Sequence, residues 1–312
     1  MAPPSNNKPG PRDVTCSARL VARRGGSGER ARRDVCVNEP VPVTNFSGSW
    51  TRVDQTADPS FYASLLDATR AEGLAEARRD PSTVFGPLQL RAGLRVLDVG
   101  CGTGDYLRVM APLVAPRTAV GVDLSAALIA IARRRAVSAP GRVLFQVGDA
   151  CELPFADAAF DRVVANQVLL HLADPWQAVA EMRRVLAPGG LLSAGEWDWD
   201  SMCLAVTDRE LGRKFAHMLC DQMSNGLIVR DLAWQLATHG FADVAVMPRV
   251  RVQRVPGAAH QWLIEPAARE LVRTGALTAE EGTQLLGDLR ERAGTGRYFL
   301  ARTYYTAIAT AV

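Results

Sequence analysis

Residues 94–105 read Leu-Arg-Val-Leu-Asp-Val-Gly-Cys-Gly-Thr-Gly-Asp, a short apolar run that enters glycines at 100, 102 and 104. Without a Cβ, glycine lets main chain close on a ligand, so this spacing predicts a strand-to-helix turn around a bound small molecule. The dinucleotide fingerprint places its third glycine three residues after its second, and Asp105 stands there instead. A triphosphate loop would close on Gly-Lys-Ser/Thr, a sequence this chain does not have. NAD, FAD and nucleoside triphosphates are disfavoured on both counts.

Two more acids end the next apolar runs. Ala119-Val-Gly-Val-Asp123 finishes in a carboxylate where doubly wound folds hold ribose hydroxyls, and Val147-Gly-Asp149-Ala150 supplies a second. An adenosine carrying a cation in place of phosphates suits such an edge, and S-adenosylmethionine is that kind of ligand. Asp98-Val-Gly-Cys-Gly-Thr-Gly104, Gly121-Val-Asp123, Gly148-Asp149-Ala150 and Leu186-Ala-Pro-Gly-Gly190 resemble the class I S-adenosylmethionine-dependent methyltransferases, over roughly residues 50–312. Leu153-Pro-Phe155, Phe160-Asp161 and Val168-Leu-Leu-His171 are similar to the ubiquinone and menaquinone C-methyltransferase branch and to bacterial natural-product methyltransferases. The resemblance implies that Gly100, Gly102 and Gly104 wrap the methionine part, Asp123 takes the ribose, Asp149 with Ala150 takes the adenine, and Leu124 flanks the base. It places Asn166 by the methionine end or the transferred methyl. Asp98 has two readings, cofactor contact or support of the loop's amides. The by-product would be S-adenosylhomocysteine.

A sulfonium methyl is already activated, so the chain must mainly place a nucleophile, exclude water and, for a phenol or amine, accept a proton. His171 is the first base candidate, because imidazole titrates near neutrality; the competing reading is a neutral ring bonded to backbone at a helix start. Tyr62 is expected over the site, pairing with His171 as in members of the family with a tyrosine and histidine couple, or else in the core. Glu196 reads equally as substrate contact or base and as a structural hydrogen bond. Trp197 and Trp199 alternate, so one should face the pocket, where an indole would favour a sulfonium or transient carbocation. Phe215, Met218 and Leu219, with Met202 and Met223, read as core or as an apolar lid. No histidine and carboxylate set suggests a metal. The function expected is methyl transfer to a hydrophobic small molecule such as a quinone, phenol, indole or prenylated natural product, with carbon favoured as acceptor. Alternatives are a cyclase or isomerase on the same fold, including methylation-triggered ring closure, and a non-catalytic cofactor-binding protein.

Positioning these groups falls to apolar runs at Leu94–Val99, Ala119–Asp123, Val143–Val147, Arg162–Ala165 and Leu191–Ala194. Helical stretches at Ala126–Arg135 and Trp176–Leu186 lie between them, the second closed by Pro188-Gly189-Gly190. Alternation of this kind predicts an α/β fold: a doubly wound, mostly parallel seven-stranded sheet with helical lid insertions. N-terminal helices are expected over 58–90, opened by Asp58-Pro59, then the cofactor core over 94–200. Lid helices and a late strand follow over 201–300, with a helix at 231–238, a strand at 244–252, and capping boxes at Thr207-x-x-Glu210 and Thr278-x-x-Glu281. A final strand spans 301–312. Residues 1–40 mix Pro, Gly, Ser and Arg and read as a disordered basic tail. They hold eight basic and four acidic side chains, leaving 28 against 29, so the body is neutral and a nucleic-acid partner is not expected. Six scattered cysteines without Cys-x-x-Cys read as reduced thiols of a cytoplasmic protein. No apolar run approaches the ~20 residues of a membrane span. An N-terminal helix on a loose arm could pack on a neighbouring subunit in a homo-oligomer.

Overall fold

The computed structural model describes residues 50–56, 58–115, 117–137 and 141–312. The basic tail expected over residues 1–40, with Cys16 and Cys36, lies outside them. Val96–Val99 (β1) is buried along its whole length, because a parallel strand flanks it on each side. Ala119–Asp123 (β2) and Val143–Val147 (β3) extend the sheet one way, Phe160–Asn166 (β4) and Leu186–Leu204 (β5) the other. Phe241–Gln253 (β6) and Leu300–Ala311 (β7) complete a seven-stranded sheet of order β3-β2-β1-β4-β5-β7-β6, with β7 antiparallel to both neighbours. The order reverses between β1 and β4, and such a reversal opens a crevice at the strands' carboxyl ends.

Helices start where the sequence offers a cap. Pro59–Arg79 (α1) has Asp58 accepting from the Ser60 amide, with Pro59 in the first turn. Asp105–Val114 (α2) leaves the glycine turn, and Ala126–Ala136 (α3) is capped by Ser125. Pro175–Val185 (α4) begins at Asp174. Arg209–Asp221 (α5) departs from the expected capping box: Asp208 accepts from the Glu210 and Leu211 amides, while Thr207 turns to Asp288. A carboxylate one residue later takes the helix start from the hydroxyl. Leu232–Thr238 (α6) and Glu265–Arg273 (α7) precede Ala279–Gly294 (α8), where the reciprocal box between Thr278 and Glu281 is formed.

Two further expectations change. β5 does not end near residue 194 but continues to Leu204, because β7 pairs with it as far as Leu300. α5 is not a lid: Leu211, Phe215 and Leu219 belong to the cluster that packs Val179 and Met182 of α4 and Leu192 of β5, together with Met202 and Met223. α1 buries Tyr62, Leu65, Leu66 and Leu74 within its own domain. Cys101, Cys151, Cys203 and Cys220 are free thiols. Among the described residues no helix is long and apolar enough to cross a membrane.

Candidate active site

The crevice at the β1–β4 reversal holds two cavities, of about 160 and 410 Å³, with Thr69, Arg70, Gln167, Trp197, Ala259 and Arg302 common to their walls. The smaller is the cofactor-like cleft. Gly100 and Gly102 line it with positive φ. A Cβ on Gly100 would come within 2.4 Å of Val168 and one on Gly102 within 2.9 Å of Leu66, so only glycine makes this turn. Gly104 does not line the cleft. It lies beneath Phe145, whose ring a Cβ would meet at 2.4 Å, and its place is structural.

The acids divide the work differently from the sequence reading. Asp123, not Asp98, supports the glycine turn: one oxygen accepts from the Gly102 amide at 2.8 Å and the other from the Ser125 amide at 2.9 Å. Burial pushes its carboxyl above the usual range against the pull of those two bonds. Asp98 is 4% exposed and receives no hydrogen bond among the described residues. Burial, reinforced by Asp123 and Asp105 and opposed by Arg70, raises its pKa to about 7. Arg70 of α1, itself 7% exposed, lines both cavities without an ion pair or hydrogen bond of its own. A buried cation over the Tyr106 ring and a buried acid that feels its charge thus stand by the glycine turn, Asp98 behind the cavity linings and Arg70 within them.

Leu124, Asp149 and Ala150 line the far end of the cleft, with Leu124 half exposed and Asp149 closing a turn onto the Cys151 amide. Over this edge lies the turn Val53–Gln55, moored by Asp54, which accepts from Ser125 Oγ and the Ala126 and Ala127 amides at the start of α3.

His171 ends the turn Leu169–His171 and lines the smaller cavity. Tyr62 does not line either cavity: it is 2% exposed, and the Trp50 ring, 5.0 Å from Tyr62 and 5.7 Å from His171, stands between the couple. Its hydroxyl has no partner among the described residues. Glu196 is fully buried and also absent from both linings; its Oε1 accepts from the Val168 and Leu169 amides at 2.8 and 2.7 Å, fixing the turn that carries His171. Its Oε2 is unpartnered, and burial raises its pKa to about 8. Asn166 lines the larger cavity, where it accepts from the Tyr304 hydroxyl at 3.1 Å, and not the cleft.

Trp197 and Trp199 both reach the cleft, against the expectation of one, because the β5–β7 register shifts between Asp198 and Cys203. Their faces are taken by the Arg302 guanidinium, 4.2 and 5.2 Å from the ring centres, so they do not stand open to a sulfonium or carbocation. Asp198 and Asp200 pair with Arg230. The cover comes from residues 258–263, with Trp262 and Leu263 in the cleft wall, rather than from α5. The sequence reading missed Arg70, Gln167, Arg302 and Tyr304. Gln167 holds φ 57 between the two cavities, a backbone state that side chains other than glycine adopt rarely.

A profile described as a methyltransferase domain matches residues 97–194. The Streptomyces fradiae "Uncharacterized 37.1 kDa protein in transposon TN4556" is 36% identical over 286 residues, 90% of this chain and 79% of its own. The 27-O-demethylrifamycin SV methyltransferase of Amycolatopsis mediterranei is 40% identical over 156 residues, 44% of this chain and 55% of that one. The YcgJ protein of Bacillus subtilis superposes with a TM-score of 0.52 at 19% identity over 74% of this chain and 97% of its own, which shows a shared fold. With the glycine turn, the strand-tip acids and the β7-antiparallel sheet in place, the chain carries a methyltransferase domain over residues 97–194 on the Rossmann-like fold of the class I S-adenosylmethionine-dependent methyltransferases.

Proposed function

We propose that the protein transfers a methyl group from S-adenosylmethionine to a hydrophobic small molecule held in the larger cavity. The observation that carries this reading is the glycine turn held by Asp123, with buried Arg70 beside Gly102 in the cleft wall and buried Asp98 behind the lining. The methionine end of the donor is a zwitterion, and these two groups are its complement: Arg70 for the carboxylate, Asp98 for the ammonium. Asp123 offers lone pairs to ribose while it holds the turn, and Leu124 with Asp149 and Ala150 borders the adenine. When bound, the donor supplies a methyl already activated on sulfur.

The chain's remaining task is orientation and dryness. Trp197, Trp262 and Leu263 keep water from the cleft, and Gln167 with Trp197 stands in the wall shared with the larger cavity. His171 brings an imidazole to the cleft wall and would take a proton from a phenol or amine. Glu196 is sealed from both cavities and holds the His171 turn. The larger cavity's acid, Glu72, is paired with Arg251. This shortage of carboxylate bases favours carbon as acceptor, since an electron-rich ring carbon attacks unaided. The relative named for methylating 27-O-demethylrifamycin SV agrees with a bulky natural product as substrate.

Calorimetry tests the donor site directly: S-adenosylhomocysteine should bind and NADH should not. The reaction is tested by incubating donor and candidate substrates and weighing the products, each of which should gain one methylene in mass. A product isomeric with its substrate would refute transfer.

A further inference from the structure

Arg302 is held in an unusual state. It lies in β7 on the same face as Leu300 and Tyr304, reaches both cavities, and is flanked by the Trp197 and Trp199 rings. No ion pair or hydrogen bond meets its guanidinium among the described residues. The acids across the sheet that could have done so, Asp198 and Asp200, are committed to Arg230. The guanidinium is half-buried, and the loss of part of its water, with aromatic faces beside it, pulls its pKa down to about 10.

The second observation is independent. Trp199 is 5% exposed, lines the cleft, and its indole N–H has no acceptor. Both unmet groups are donors and neither can accept. Arg249 and Arg251 in the larger cavity are already matched, to Glu76 and Glu72, and so do not compete for a ligand's charge. A ligand that completes this corner must therefore bring acceptor oxygens and negative charge, because the Trp199 N–H is buried without an acceptor and Arg302 is a half-buried cation with no counter-charge beside it. The rest of the wall, with Phe85, Pro87, Val164, Met247 and Leu300, asks for an apolar body. The planar fork of a guanidinium fits the two oxygens of a carboxylate.

We propose that Arg302, which reaches both cavities, and the Trp199 indole N–H beside it on the cleft side form an oxyanion anchor at the shared wall that selects a ring-bearing substrate with a carboxylate or an ionised phenol or enol. The proposal rests on the reading of the crevice as a methyl-transfer site and names the class of molecule it takes. Tyr304 and Asn166, hydrogen-bonded to each other in the same cavity, border the ring of that molecule.

The experiment uses the whole chain saturated with S-adenosylhomocysteine. Calorimetry compares charged probes with neutral partners of the same shape: 2-naphthoate against 2-naphthamide, and ionised 4-nitrophenol against nitrobenzene. Wild type should prefer at least one charged probe by about tenfold or more, the equivalent of roughly 1.4 kcal/mol. Arg302→Met should erase that preference and Arg302→Lys should keep part of it, each variant being compared at its own saturating S-adenosylhomocysteine. Equal binding of charged and neutral probes by wild type overturns the anchor whatever the variants do. So does a preference that survives in Arg302→Met, or failure of every probe to bind up to its solubility. Failure of S-adenosylhomocysteine to bind wild type would instead refute the methyl-transfer reading, since that outcome is read in wild type alone and before any probe is added. Preference for naphthoate alone assigns a carboxylate, and preference for nitrophenolate alone an ionised phenol.

Discussion

If Asp98 receives the donor's ammonium, cofactor affinity must depend on pH. In the free protein burial holds its pKa at about 7, against an ordinary 3.8, with Arg70 the opposing cation and Asp123 and Asp105 the like charges facing it. An ammonium partner stabilises the charged form and returns the group toward its ordinary range. The sign follows: the complex binds fewer protons than the free protein, so affinity is full above the raised pKa and is lost as pH falls below it. For a shift from about 7 to near 4, S-adenosylhomocysteine should bind about tenfold more weakly at pH ~6 than at pH ~8, a change of roughly 1.4 kcal/mol. Calorimetry in buffers of different ionisation enthalpy should record close to one proton released per complex at the lower pH. Asp98→Asn should lower affinity at the higher pH by roughly 1.5–3 kcal/mol, the range for a hydrogen bond to a charged group, and should flatten the profile. Asp123 is also raised, so the variant is the control that assigns the slope. A wild-type affinity that does not change over this interval, or an Asp98→Asn variant that keeps the slope, would refute the assignment.

Glu196, with a folded pKa of about 8 against 4.5, stabilises the fold in its neutral form, and that contribution fades as pH rises from about 5 to 8. Glu196→Gln keeps an oxygen for the Val168 and Leu169 amides, so its melting temperature should fall less steeply over that range and its kcat should stay within a few-fold; a collapsed kcat in a well-folded variant would restore Glu196 to the chemistry. His171→Gln should lower kcat by roughly 100-fold or more on a phenolic or amine acceptor and little on a carbon acceptor, whereas Tyr62→Phe should leave both unchanged, read by single-turnover assays. Gly195→Ala would set a Cβ 2.1 Å from the Tyr304 hydroxyl and 2.6 Å from Asn166 Oδ1. It should cost about 1–3 kcal/mol by chemical denaturation, with partial recovery in Gly195→Ala combined with Tyr304→Phe.

The parallel half of the sheet was readable because it is written in local signals: apolar runs for β1 to β4, glycines for the turn, caps at Asp58 and Thr278. What escaped depends on distant partners. β5 runs on to Leu204 only because β7 lies beside it. The Asp208 cap displaced Thr207 because Thr207 found Asp288, 81 residues away. Arg70 carried a legible signal, since it stands four residues from Leu66 and from Leu74 on the buried stripe of α1. Arg302 shares its strand face with Leu300 and Tyr304, but nothing local shows that two indoles wait across the sheet. Tyr62 and Glu196 were sensible choices of residue type in the right region, and burial alone separates them from the cavities.

The mooring of Asp54 on the first amides of α3 ties the start of the described chain to the same helix that borders the adenine end. The same leash carries Trp50 and Thr51 into the cleft wall, so loosening it should speed exchange of a bound donor. A fusion, a trimmed start or a pulling force applied near residue 50 would quicken by-product escape while the sheet beneath stays intact. An enzyme limited by discharge of spent cofactor would then turn over faster when its leading segment is loosened.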